Sequence, residues 1–231
     1  MEVNGIDIEI EYKNIKNMHL AVYPPEGRVH VSAPLGYSEE QIRFYVLKKW
    51  VWISMKQDEL SSFIVQPKRD YVSGEAHYYK GQLYRLRVNI IPERNVAQHV
   101  EIDGDYLMLY VRDGSTREQK EEEVLFSWYR QMVSPVIQKF ITKWEKILEV
   151  HLDSWEVRQM AARWGSCSKS KKKAIFNLQL AKKPVRCVEY IVAHELVHLI
   201  EQNHTKRFRA ILDINLPEWE VIKQELNEFP L

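Results

Sequence analysis

The chain of 231 residues has few cysteines and lacks the long apolar runs that cross a membrane. Its two cysteines, Cys167 and Cys187, could form at most one disulfide, and a chain of this length does not need one to fold. No apolar run approaches the roughly 18 to 20 residues that span a bilayer, and the first residues are acidic rather than signal-like. These shortages exclude a disulfide-rich scaffold and a membrane protein. We expect a cytoplasmic protein with no membrane partner.

Alternation of apolar and polar residues predicts strands in the first half of the chain. Residues 2–35 contain three short alternating runs, which predict a small antiparallel meander, and more strands are expected at 78–90 and 100–111. Ser38 and Gln41 form a capping box ahead of a helix that reaches about residue 60. Residues 1–114 are therefore expected to form a β-rich region with one covering helix.

The second half, residues 115–231, has helical periodicity. A capping box at Ser115 and Glu118 precedes the longest periodic segment, which predicts a helix of about 30 residues with Pro135 inside it. Two strands at 155–163 and 174–180, joined by a polar loop, are expected to pair antiparallel. Pro184 suits the first turn of the next helix. The predicted class is α+β, with a β-rich N-terminal half followed by a helical catalytic half.

The segment His194-Glu195-Leu196-Val197-His198 has the HExxH pattern. Residues four apart on a helix differ by about 40° in direction, so both imidazoles can share one cation. Glu195 is rotated by about 100° from His194, which lets it reach a water at the metal without being a ligand. The composition predicts roughly 0.03 chance occurrences of this pattern in the chain. A zincin-like metal site is therefore predicted in the second half.

His204 is the candidate third ligand. An unbroken helix would place it about 240° around the axis from His198, so the helix must end before it. Gln202 and Asn203 are the expected stop, because asparagine tolerates the left-handed conformation of a C-terminal cap. The alternative third ligand is a carboxylate from the segment that follows: Asp213, Glu218 or Glu220.

The motifs of the second half together resemble a known family. Arg163 opens the run RWGSC, Phe176 and Asn177 follow on the next expected strand, and HELVHLIEQNH and Phe208 complete the pattern. Over about residues 120–215 the chain resembles the YgjP-like group of metal-dependent hydrolases, which is related to the SprT-like and WLM zinc metalloproteases. Members of the group have been described both as metallopeptidases and as nucleotide pyrophosphatases. The resemblance implies a catalytic Glu195 and a Zn²⁺ ion held by His194, His198 and His204.

Three neutral imidazole nitrogens with an open fourth position form a catalytic rather than a closed structural zinc site. We therefore predict a zinc-dependent metallopeptidase in which a metal-activated water attacks the peptide bond and Glu195 is the general base. An extended peptide or protein substrate would lie along the strand predicted at 174–180. The alternatives are a nucleotide pyrophosphohydrolase for UTP-type substrates and a DNA-associated protease.

Nine basic residues and no acidic residue lie between Val157 and Val188, although the whole chain has a net charge of +1. A local positive field attracts phosphate groups, so a nucleotide or a nucleic acid is a candidate partner for residues 157–188. Within this stretch, Arg163 is a candidate for binding an oxyanion and Asn177 for hydrogen-bonding the substrate. The alternative for both residues is a structural role.

Overall fold

The computed structural model describes residues 1–23, 27–62, 69–92, 95–160 and 163–228 of the chain. Within these ranges the chain forms eleven strands and six α-helices, in two compact units, Met1–Val65 and Gln66–Leu231. The architecture is α+β with a β-rich first half, as the sequence predicts. None of the helices in the described ranges is long and apolar enough to cross a membrane.

The first unit is a four-stranded sheet followed by two helices. Its elements are β1 (Glu2–Val3), β2 (Ile6–Lys13), β3 (His19–Tyr23), β4 (Arg28–Pro34), α1 (Glu39–Lys48) and α2 (Trp50–Ser62). The strand order is β1-β2-β4-β3. A small core of buried aliphatic side chains joins the sheet to the helices, with Val31 from β4 and Ile42 from α1 both fully buried.

The predicted antiparallel meander is wrong, because β2 and β4 pair in parallel, with Ile8 opposite Val29. The reason is burial. β4 carries Val29, Val31 and Ala33, all fully buried, and a strand of this kind takes an interior position in a sheet. β3 has only exposed and half-buried residues, and it forms the edge.

The second unit contains two sheets and four helices. Its strands are β5 (Ala76–Tyr79), β6 (Gln82–Ile90), β7 (His99–Asp103), β8 (Tyr106–Val111), β9 (Ser154–Arg158), β10 (Gly165–Ser168) and β11 (Lys173–Asn177). Its helices are α3 (Ser127–Leu148), α4 (Val185–Val197), α5 (Lys206–Asn215) and α6 (Trp219–Glu228). A π-helical segment, Gln119–Phe126, leads into α3, and a short 3₁₀ helix, Leu178–Lys182, precedes α4.

The sheet β5-β6-β8-β7 has the same topology as the sheet of the first unit, with antiparallel outer pairs around a parallel central pair. In both units a capping box begins the helical segment that follows. Ser38 and Gln41 form the predicted box, whereas the second box is Thr116 with Gln119. The predicted Ser115 does not form the box: its hydroxyl donates to Gln98, and the Gln119 N–H donates to the Thr116 hydroxyl instead. The sequence shows no internal repeat, so the shared topology emerges only in the structure.

The strand predicted at 78–90 is a hairpin of β5 and β6. Lys80 and Gly81 form its turn, with φ of +50° and +83°. Two-residue turns that match the twist of the flanking strands need positive φ at both positions. The backbone N–H groups of these two residues donate to the carbonyls of Ala181 and Lys182, at 2.9 and 3.0 Å. The turn therefore holds the segment that leads into α4.

The strands predicted at 155–163 and 174–180 do not form an antiparallel pair. β9 lies parallel to β11, and the antiparallel partner of β11 is β10, from the segment predicted as a loop. Lys172, at φ +42°, closes the turn that sets Ser168 opposite Lys173. β11 is therefore the central strand, and β10 is an edge. Residues 161–162 of the predicted first strand lie outside the described residues.

The core of the second unit joins the β5–β8 sheet to the helices of the second half. Tyr79 of β5, for example, packs against Trp128 of α3, with ring centroids 4.8 Å apart. The sequence-based division into 1–114 and 115–231 stays a prediction about independent domains. By contacts, residues after Gln66 belong to the same compact unit as α4.

Gly81 lies so close to the start of α4 that a β-carbon there would be 2.9 Å from the Pro184 side chain and 3.2 Å from its Cα. We predict that Gly81→Ala lowers the free energy of unfolding by about 2 kcal/mol or more, since left-handed strain of about 1 kcal/mol adds to the clash. Gly104→Ala is the matched control, because Gly104 also has positive φ but faces open space. Equal losses in urea unfolding of the two variants would contradict the proposed clash.

Candidate metal centre

Helix α4 carries the HExxH segment through the interior of the second unit. It packs against α3, α6 and β10, and nine of its residues are buried. His194 and His198 are half-buried on one side of the helix end, with ring centroids 5.0 Å apart. The i, i+4 spacing thus brings the two imidazoles together, as expected.

The helix ends earlier than predicted, and by another mechanism. α4 stops at Val197, and the N–H groups of Leu199 and Ile200 donate to the carbonyls three residues before them, which tightens the last turn. Asn203 is not among the residues with positive φ, so the predicted left-handed cap does not occur. A tight turn with three-residue hydrogen bonds reverses the chain without it.

His204 returns to the other two imidazoles immediately before α5. Thr205 is the N-cap of α5, and its hydroxyl accepts a hydrogen bond from the Phe208 N–H at 3.3 Å. The His204 ring centroid lies 4.9 Å from those of both His194 and His198. The three rings thus form a nearly equilateral triangle.

The donor atoms of this triangle suit a tetrahedral metal ion. One nitrogen from each of His194, His198 and His204 lies within 4.8 Å of the others, and the Nε2 atoms of His194 and His204 are 3.0 Å apart. Zinc with bonds of about 2.05 Å would separate tetrahedral nitrogens by roughly 3.3 Å. His198 Nδ1 lies 3.2 Å from the Glu201 carbonyl, which leaves its Nε2 for an ion.

Electrostatics favour the neutral imidazoles that a metal requires. Burial first, and then the charges of His198, His204 and Lys223, lower the pKa of His194 to about 3. The pKa of His204 is also lowered, by burial and by the neighbouring positive groups. At neutral pH, His194 therefore offers an unprotonated nitrogen.

Phe208 packs against all three imidazoles. Its ring centroid lies 4.8 to 4.9 Å from those of His194, His198 and His204, and its side chain is 2% exposed. An aromatic ring in this position limits the rotamers of the histidines and keeps their nitrogens directed to one point. No role is predicted for Phe208 from the sequence beyond its part in the family resemblance.

The Glu195 side chain lies against Gly165 of β10. It is buried, and a β-carbon on Gly165 would lie 2.7 Å from Glu195 Oε1. Burial raises the pKa of the Glu195 carboxyl to about 8, and the charge of Arg163 opposes the rise. Only glycine at position 165 leaves room for this carboxylate, a requirement that the sequence did not reveal.

The imidazoles and Glu195 line a cleft of about 710 Å³. β10 contributes the residues Gly165 to Ser168, and α6 contributes Lys223, Leu226 and Asn227. Tyr190, one turn before His194 on α4, also lines the cleft, with its ring centroid 5.7 Å from that of His194. Sequence periodicity places Tyr190 on the His194 side of α4, but nothing local points to Lys223.

The two cysteines are free, and one of them lines the cleft. Burial, together with the nearby Glu195, raises the pKa of the Cys167 thiol to about 12. Cys187 is buried under α6, where burial also raises its pKa to about 12. Both thiols therefore stay protonated at neutral pH.

The two predicted substrate-binding residues occupy different positions. Arg163 is exposed and lines the cleft. Asn177 is buried and does not line it; its side-chain N–H groups donate to the carbonyls of Met160 and Arg163, at 2.9 and 2.8 Å. Asn177 thus holds the chain that carries Arg163, and the substrate contact predicted for Asn177 would require these bonds to break.

The acids considered as alternative third ligands do not line the cleft. The Asp213 carboxylate accepts a hydrogen bond from the Trp219 indole N–H at 2.8 Å. Glu218 and Glu220 are exposed near the start of α6. Among the residues that the structure describes, the one cluster suited to a metal ion is His194, His198 and His204.

Four of the nine basic residues of 157–188 are paired with a carboxylate or buried. Arg158 and Lys173 both pair with Glu156, and Arg186 pairs with Glu225. Lys183 is buried and donates to the Leu226 carbonyl at 3.0 Å. The local field is therefore weaker than the count of charges indicates.

Comparison with known proteins gives one family. Residues 16–229 match the family model described as YgjP-like, metallopeptidase domain. No curated protein matches the chain. Among solved structures, the zymogen of Pyrococcus abyssi abylysin is 17% identical, with a TM-score of 0.37 over 39% of this chain and 90% of its own. The zymogen of Methanocaldococcus jannaschii jannalysin is 21% identical, with a TM-score of 0.34 over 39% and 92%. Both are metallopeptidases by description.

We predict that the chain binds about one zinc ion and that His204→Ala lowers the zinc affinity by more than the 10- to 100-fold typical of supporting residues. The reason is that His204 completes the triangle of nitrogens. Glu218→Ala and Glu220→Ala serve as controls and should bind zinc as the native chain does. Metal-competition titration measures all three affinities. Loss of zinc in a glutamate variant, with normal binding in His204→Ala, would assign the third ligand to a carboxylate.

Proposed function

Because the chain belongs to the YgjP-like metallopeptidase family, we propose that it is a zinc-dependent peptidase that cleaves peptide bonds in a peptide or protein. In this proposal His194, His198 and His204 hold the ion, and Glu195 is the general base. The observation that carries it is the convergence of three imidazole nitrogens beside a buried carboxylate, in a cleft bordered by an edge strand.

The residues fit a catalytic zinc ion. Three neutral nitrogens leave coordination positions open, which distinguishes a catalytic site from a closed structural one. When bound, zinc supplies Lewis acidity, which polarises a substrate carbonyl and makes water more acidic. Phe208 and the Glu201 carbonyl keep the histidine rings oriented for this role.

Glu195 would accept a proton from the attacking water and later deliver it to the leaving amine. A general acid–base group works best when its pKa lies near the working pH. In this site burial raises the pKa of Glu195 and the charge of Arg163 opposes the rise. Contact with Gly165 keeps the carboxylate on the β10 side of the cleft.

The edge strand β10 offers a binding surface for an extended substrate. β11 pairs with β9 on one side and with β10 on the other. It contains the first part of the strand 174–180 that is expected from the sequence to bind the peptide. Within the described residues, β10 pairs only with β11, and its residues line the cleft beside Glu195. A peptide can therefore add to the sheet through hydrogen bonds with β10, with its scissile bond near the three histidines.

Two alternative predictions about the function remain: a nucleotide pyrophosphohydrolase and a DNA-associated protease. The cytoplasmic location also stays a prediction. The described residues that line the cleft include no cluster of carboxylates of the kind that usually holds Mg²⁺ in phosphohydrolases. This ligand set favours the peptidase over a magnesium-dependent nucleotide hydrolase.

We predict that the zinc-loaded chain cleaves casein and does not hydrolyse UTP, and that Glu195→Gln lowers cleavage by at least about 100-fold. The variant should keep both the fold and the metal, because Glu195 is not one of the three ligands. Parallel assays on the two substrates, with metal content measured for each protein, test the proposal. Hydrolysis of UTP with no cleavage of casein would refute it, and loss of zinc in Glu195→Gln would make that residue a ligand.

We predict that Gly165→Ala lowers casein cleavage by about 10- to 100-fold, because a methyl group at this position displaces the Glu195 carboxylate. Zinc content should not change, since Gly165 is not a metal ligand. Gly36→Ala is the control for the loss of a glycine, as a β-carbon at Gly36 meets nothing within 4 Å. Full activity in Gly165→Ala would show that the contact does not position the general base.

A further inference from the structure

The cleft has an excess of positive charge. Among the described residues that line it, three carry a permanent positive charge, Arg163, Lys169 and Lys223. Glu195 is the one acidic residue in the same set, and it is the proposed general base. A concave surface lined by charge of one sign raises the local concentration of ligands of the opposite sign.

Arg163 projects from the strand side of the cleft on a fixed backbone. Its side chain is exposed, while its carbonyl accepts a hydrogen bond from Asn177 Nδ2 at 2.8 Å. The next carbonyl, that of Trp164, accepts one from the Asn177 backbone N–H at 2.9 Å. The guanidinium group is thus available to a ligand on a segment that is held in place.

Lys223 projects from α6, which packs against α4 as β10 does. Its side chain is exposed, but its neighbours Ile222 and Leu226 are buried, at 4% and 1% exposure. Two hydrogen bonds of 2.5 and 2.6 Å from Arg186 to Glu225 fasten α6 to α4. The ammonium group of Lys223 is therefore also carried by a fixed element.

Lys169 adds positive charge near the segment between His198 and His204. Its ammonium group donates to the Ile200 carbonyl at 3.0 Å. This bond joins the β10–β11 turn to the segment between His198 and His204. Lys169 thus contributes to the field while its position is fixed by the protein.

We propose that the cleft selects acidic peptide segments, with Arg163 and Lys223 binding carboxylates from the β10 side and from the α6 side. This inference rests on the proposed peptidase function. A peptide is favoured over a phosphate ligand because the edge strand β10 offers alternating backbone N–H and C=O groups, which an extended peptide can pair with and a phosphate cannot. Each exposed ion pair changes binding by about 1.5- to 5-fold, so two together give a measurable preference.

Binding of two labelled peptides tests the proposal. The peptides have equal length and differ only in carrying glutamate or glutamine on both sides of a central bond. Fluorescence anisotropy with zinc-loaded Glu195→Gln protein measures affinity without cleavage. We expect the glutamate peptide to bind about 3- to 10-fold more tightly at low salt, and the difference to shrink at high salt.

Two charge variants assign the preference to the cleft. Arg163→Gln/Lys223→Gln should lose most of the preference, with Lys169 accounting for what remains. Arg130→Gln/Lys139→Gln is the matched control: it removes one arginine and one lysine that are exposed on α3 and do not line the cleft. The control should keep the preference for glutamate.

Equal binding of the two peptides by Glu195→Gln protein with Arg163 and Lys223 intact would overturn the inference, as would an undiminished preference in the Arg163→Gln/Lys223→Gln variant. If inorganic tripolyphosphate displaced the labelled glutamate peptide more strongly than unlabelled glutamate peptide did, the cleft would be assigned to phosphate ligands instead. Cleavage of casein is scored separately. If the protein cleaves casein but has no charge preference, only this inference is refuted. If it prefers the glutamate peptide but shows no cleavage, only the proposed function is contradicted.

Discussion

The packing of three imidazoles around the Phe208 ring is the constraint on which the rest of the site depends. Two of the rings come from one helix, where the i, i+4 spacing aligns them without help from the rest of the chain. The third ring requires the chain to turn back within six residues of His198. A tight helix end provides the turn, and the Thr205 cap begins a new helix that brings Phe208 under the rings. The candidate metal centre is thus built from one helix end and the start of the next.

Close backbone contacts hold this arrangement from both ends of α4. At its start, the turn at Lys80 and Gly81 bonds to the preceding segment and leaves no space for a side chain beside Pro184. Toward the other end of α4, Gly165 leaves space for the Glu195 carboxylate, and a side chain at position 165 would clash with it. The β5–β8 sheet is therefore part of the structure that supports the site, and it lies in the same compact unit as α4.

The same elements would also bind the proposed peptide substrate. β10 contacts Glu195 through Gly165, lines the cleft, and pairs only with β11 among the described residues. The fixed segments on either side carry Arg163 and Lys223, so the proposed catalytic and recognition groups share one frame. Asn177 connects the two roles, because it bonds to the backbone of Arg163 from the strand beside β10. A change in substrate preference can therefore be made at exposed side chains without disturbing the metal ligands.

Local sequence determined the features that depend on spacing within one element: the His194–His198 pair, the side position of Glu195, the capping box at Ser38 and the α+β class. The pattern also required a break before His204, although not the kind of turn that makes it. Tertiary structure alone decided the parallel pairing of β2 with β4, the edge position of β10, and the roles of Gly165, Phe208 and Lys223. Alternation and helical periodicity report which side of an element is apolar, but not which distant element covers it. Gly165 meets Glu195 thirty positions away, and Gly81 meets Pro184 across more than a hundred, so only the folded chain sets these contacts.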